Sequence, residues 1–136
     1  MPFQLKPPTT AFTDSAAEFL RKVQSDPAAV LRGIKLVAAG LEEREPQPDA
    51  PRSEKLDWLL RKDMTLAMAG VAMVLVSGGD RVMYAEAETV LLDVAEALDH
   101  VGPALAARDA TLLAASLSEA DRALGRLNVV EDPDQG

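Results

Sequence analysis

From Met64 to Val76 the chain reads MTLAMAGVAMVLV, thirteen residues without a charge and with Thr65 as the clear polar side chain. A helix built from this run has no solvent-facing stripe, so it must be covered on all sides, by its own chain or by a partner. The run falls short of the roughly 20 apolar residues that cross a hydrocarbon core, and no membrane partner is expected. A chain of 136 residues suits one domain. The run is therefore expected at the centre of that domain or of a dimer. Hydrophobic residues make up 48% of the chain and aromatic residues 4%, so Leu, Val, Ala and Met must fill the core. That composition favours helices over strands.

The pattern on either side predicts an all-α bundle of four to five helices, neighbours antiparallel, with a short amino-terminal helix and flexible ends. Ser15 and Glu18 are spaced as a capping box, which places the first helix at Ala16 to Gln24 after a tail over residues 1–14. Asp26-Pro27 is a second start signal, and Val30, Ile34, Val37 and Leu41 recur at helical spacing down to about Glu43. The prolines of EPQPDAP break the chain, after which Ser53 can cap a long helix from Glu54 to about Val76. SGGD at 77–80 ends that helix. Met83, Ala87, Val90, Leu91, Val94, Leu98 and Val101 then give the most regular amphipathic pattern in the chain. A fifth helix is expected from Pro103 to about Leu124. The folded domain is expected over 15–127, with a flexible acidic tail over 128–136. One local alternative is a β-hairpin over residues 71–85, because valines flank the glycine pair.

Charge narrows the choice of partner. Twenty-two acidic against fourteen basic residues give a net charge of −8, which opposes binding to nucleic acid. Between Val82 and Ala107 there is no Lys or Arg, whereas Glu86, Glu88, Asp93, Glu96 and Asp99 all fall there. An acidic surface on the fourth helix is the expectation, suited to a partner with a basic surface.

Chemistry narrows it less. The chain has no cysteine and one histidine, which excludes disulfides and thiolate catalysis and leaves no spacing typical of a zinc site. Asp93, Glu96, Asp99 and His100 share neighbouring helix positions, yet a di-iron bundle places Glu three residues before His, where Ala97 stands. No metal, cofactor or reaction is assigned, and catalysis is not the expected activity. The start MPFQLKPPTT lacks the basic and apolar regions of a secretory signal, so a cytoplasmic setting is expected. What remains is a small acidic protein-interaction or assembly module that self-associates, as a homodimer. Met64, Met68, Met73, Val76 and Met83 supply its apolar interface. The alternative is a small-molecule-binding or sensory bundle with an apolar cavity among the same methionines. A filled core with an apolar outer patch favours the first, a continuous internal cavity the second.

Overall fold

The computed structural model describes residues 11–131, with side chains described as far as residue 126. The expected tail positions 1–10 and 132–136 lie outside the described residues. The helices are α1 (Ala11–Val23), α2 (Pro27–Glu43), α3 (Arg52–Val76), α4 (Arg81–Asp99), the short α5 (Val101–Ala106) and α6 (Ala110–Glu131). Five are long and one is little more than a turn. Among the described residues there is no strand, and no helix is long and apolar enough to cross a membrane. The fold is all-α, as the periodicity predicts.

Local chemistry accounts for most of the boundaries. At the start of α2, Asp26 Oδ1 accepts the Ala29 amide at 3.2 Å and Pro27 occupies the first turn, where its missing N–H costs nothing. α3 ends at a tight turn in which Gly78 has φ +76°, the Gly78 N–H donates to Leu75 O at 3.3 Å, and the Gly79 N–H donates to Val74 O at 2.8 Å. This is a Schellman closure, which satisfies carbonyls that the helix end leaves free. Gly79 is also required sterically, since a Cβ there would lie 2.6 Å from Val74 Cγ1. Asp80 Oδ1 then accepts the Met83 amide at 2.9 Å and starts α4. The hairpin alternative for residues 71–85 is thus corrected to helix, turn, helix: the glycines stop one helix and Asp80 opens the next.

Three boundaries differ from expectation. α1 begins at Ala11, so residues 11–14 are helical and Ser15 lies inside the helix. The capping box is replaced by a distant residue: Asp99, at the end of α4, accepts the Phe12 amide at 2.8 Å, the Thr13 amide at 3.1 Å and the Thr13 hydroxyl at 2.5 Å. α3 begins at Arg52 with Pro51 at its cap position and no side-chain cap, so Ser53 does not play that part. The expected fifth helix is two. Arg108 takes φ +53°, its N–H donates to Leu105 O at 3.1 Å and the Asp109 N–H donates to Ala104 O at 2.9 Å. This repeats the closure at Gly78, and Asp109 Oδ1 then caps α6 through the Leu112 amide at 2.9 Å. α6 continues to Glu131, so residues 128–131, expected in the tail, are helical.

The centre of the bundle is α4, not the apolar α3. α4 packs on α1, α3, α5 and α6, whereas among the described residues the only substantial neighbour of α2 is α3. Val90, Leu91, Val94 and Ala95 of α4 are fully buried, facing Ala67, Val71 and Ala72 of α3, Ala16 and Val23 of α1, and Ala120 of α6 in one continuous core. The short residues let the helices approach closely. α2 is tied to α3 at its far end, where the Trp58 indole N–H donates to Leu41 O at 2.7 Å, a carbonyl that also accepts the Arg44 amide at 3.1 Å. The Lys62 ammonium lies 5.1 Å from the same ring centroid.

The left-handed backbone at Arg108 disfavours any residue with a Cβ, by about 1 kcal/mol. Arg108→Gly is expected to raise the thermal midpoint by about 3 °C, and Arg108→Ala to leave it near the parent value. Calorimetric melts of the three proteins check this; an unchanged or lower midpoint for the glycine variant contradicts it.

Candidate functional site

The acidic residues of α4 separate into two groups when the helix is packed. Glu86, Asp93 and Glu96 are exposed and Glu88 is half-buried. Asp99 is corrected: it is 6% exposed and turned inward, because its carboxylate is used to cap α1. This removes it from any cluster with Asp93, Glu96 and His100. Asp93 is itself engaged by the Arg126 guanidinium of α6. Among the described residues, no three potential metal-binding side chains gather into a site.

The outer seam between α4 and α6 is a groove of about 650 Å³. Its walls carry Asp93, Glu96 and His100 from α4 and Glu119, Arg122 and Arg126 from α6. Arg122 pairs with Glu119 at 2.9 Å along its own helix, so both arginines are held by carboxylates. Ala97 and Ala123 form an apolar strip along the same groove. Such a surface combines both signs of charge with a shallow floor, and it presents no nucleophile paired with a base. The part played by Arg126 was hidden in the sequence, since it lies 33 residues from Asp93. A second cleft, of about 350 Å³, runs between α2 and α3 beside Trp58, Lys62 and Leu66.

The apolar candidates are also divided by packing. Met64 is buried in the core, and Met68 and Met83 pack partly buried against it. Met73 and Val76 are 41% and 48% exposed. Neither cleft is lined by any of the four methionines. Ala67, Gly70, Val71, Ala72 and Val74 are all covered within the chain, so most of the apolar run is satisfied by intramolecular packing. The uncovered apolar side chains lie mainly on the α2–α3 pair: Leu36 and Val37 on α2, and Leu66, Met73 and Val76 on α3. Leu36 is 76% exposed. Leu36 falls off the Val30, Ile34, Leu41 stripe that faces α3, and Val37, expected within that stripe, is corrected: it lies at the stripe's edge and is 53% exposed. No protein-family model, curated protein or solved structure matches this chain significantly.

One electrostatic feature affects how α6 sits on the bundle. Asp63 of α3 is half-buried opposite Asp121 of α6; burial, then the like charge of Asp121, push its carboxyl up to about 6, against a smaller opposing effect of Lys62. The folded protein therefore holds this proton more tightly than the unfolded chain does. Its contribution to stability appears as pH falls through about 6 toward the ordinary Asp range near 3.8, and is absent at neutral pH. Asp63→Asn is expected to stabilise the protein at pH 7.5 by on the order of 1 kcal/mol, after allowance for solvent screening, and to bring no gain at pH 4. Denaturant melts across that range check the sign; a variant less stable at pH 7.5 than at pH 4, relative to the parent, contradicts it.

Proposed function

We propose that this chain is a helical protein-interaction or assembly module that self-associates, with the α2–α3 pair as its contact region. The observation that carries the reading is the position of α2. Among the described residues it packs substantially on α3 alone, and it leaves Leu36 76% and Val37 53% exposed while the core beneath is filled. Large aliphatic side chains at that exposure, with further exposed apolar residues on the neighbouring helix α3, mark a surface that gains by being covered. The candidates Met73 and Val76 belong to this region; Met64, Met68 and Met83 stabilise the protomer.

The acidic face of α4 fits the same reading. Glu86 and Glu96 remain in solvent, where they oppose indiscriminate aggregation and offer a surface to a basic partner. A cytoplasmic setting is part of the proposal. The alternative of an apolar ligand cavity among the methionines is less well supported, because Met64, Met68 and Met83 pack in or against the core, Met73 is exposed, and none of the four lines either cleft.

Sedimentation velocity and static light scattering over a dilution series test the proposal. The expected result is reversible growth from the 14.5 kDa chain mass toward twice that mass as concentration rises. One-chain mass at every concentration, up to the millimolar range, contradicts it.

A further inference from the structure

We infer that two copies of the chain meet through α2, laid antiparallel across a two-fold axis beside Leu36 and Val37, with Arg32 of each against the partner's Glu43. The inference rests on the self-association proposed above and assigns it a surface, a register and a symmetry.

One flank of α2, beside the Val30, Ile34, Leu41 stripe that faces α3, carries Ala29, Gly33, Leu36, Val37 and Gly40, spaced at four, three, one and three residues and hence on one face. Two glycines in a helix interior each cost up to about 1 kcal/mol relative to alanine. Among the described residues nothing requires the first: a Cβ on Gly33 would meet no atom within 4 Å. One on Gly40 would lie 3.1 Å from the guanidinium of Arg44, which donates through Nε to Gly40 O at 3.1 Å and would have to shift. Glycine is useful here if another backbone comes close, and a neighbouring helix is the simplest backbone of that shape.

Charge selects the occupant. The first half of α2 bears Arg32 and Lys35, and the last turns bear Glu42 and Glu43. All four are exposed. Among the described residues, none of them has an ion-pair partner within its own chain. Arg32 and Glu43 are eleven residues apart, almost three whole turns, and so lie along the same edge of the face. A parallel pair of α2 helices would set like charge against like. An antiparallel pair sets the basic half of each against the acidic half of the other, and in antiparallel pairs matching edges adjoin. With the axis between positions 36 and 37, Leu36 lies beside the partner's Leu36 on one edge and Val37 beside the partner's Val37 on the other, Gly33 faces the partner's Gly40 between them, and Arg32 comes within a turn of the partner's Glu43. A second copy thus supplies both the apolar cover and the opposite charge in one register, and the helix dipoles oppose each other favourably. The rim charges fix the register more than they add strength.

The full chain lacks cysteine, so single cysteines report position without interference. Val37→Cys is expected to give a disulfide-linked dimer under mild oxidation, whereas Val82→Cys, on a residue 72% exposed at the start of α4, is expected to stay monomeric when denatured without reductant. In sedimentation at low salt, Arg32→Glu and Glu43→Arg are each expected to weaken self-association by about tenfold, since each reverses two symmetric contacts, and the double reversal to return within about threefold of the parent. Circular dichroism confirms that each variant keeps its helices. A parent dimer that ignores both reversals, or that cross-links through Val82→Cys and not Val37→Cys, overturns the α2 assignment while self-association stands. Single reversals that weaken the dimer without rescue by the double variant overturn the antiparallel register. A parent that is a monomer throughout overturns both this inference and the proposal beneath it.

Discussion

The carboxylate of Asp99 joins the first helix to the middle of the bundle. A helix start leaves backbone amides without partners, and a buried carboxylate without donors is costly; placed together, each removes the other's penalty. Asp99 accepts from the Phe12 and Thr13 amides and from the Thr13 hydroxyl, with its negative charge at the positive end of the α1 dipole. At the opposite end of α1, the Gln24 amide donates to the Tyr84 hydroxyl at 3.0 Å, near the start of α4. The two helices are held antiparallel and in register by polar contacts at both ends. Ala16 and Val23 are thereby seated on α4 with no exposure.

That attachment decides the order of the helices. With α1 on one side, α3 on another and α6 along a third, α4 becomes the enclosed element despite its acidic composition. Its charge is compatible with this position because Glu86, Asp93 and Glu96 share the remaining outward strip, where Arg126 reaches Asp93. α3 is more apolar and yet less enclosed, because α2 covers it incompletely. The surplus apolar surface of the fold consequently collects on the α2–α3 pair, and the proposed role in assembly follows from that imbalance.

The sequence displayed those features that depend on neighbouring residues. Asp26-Pro27, the glycine turn at 78–79 with Asp80, and the spacing of Ala87, Val90, Leu91, Val94 and Leu98 all place themselves by local chemistry, and the structure has them where the pattern puts them. Contacts across the chain were not legible. Ser15 and Glu18 carry an N-terminal signal, but the Asp99 carboxylate, 87 residues away from Phe12, starts the helix earlier. Arg108 adopts the conformation that Gly78 adopts, without a glycine to announce it. The apolar run points to α3 as the centre and α4 takes that place, for a physical reason. An all-apolar circumference shows that a helix needs cover, and it does not show how many neighbours will supply it. The exposed apolar face of α2 was not legible either, since the spacing groups Val37 with Val30, Ile34 and Leu41, and only packing shows that it stands outside.

Hydrogen exchange of Asp99→Ala, read helix by helix against the parent, tests most directly whether α1 is held by this one side chain. Loss of the cap and of the charge should cost about 2 kcal/mol. The account expects the amides of α1 to lose roughly thirtyfold in protection, with α3 and the middle of α4 falling no more than the change in global stability. Asp99→Asn, which keeps acceptor oxygen without the charge, should fall between the two. Unchanged protection of α1 in the alanine variant would show that packing of Ala16 and Val23 alone holds the helix, and would contradict the account.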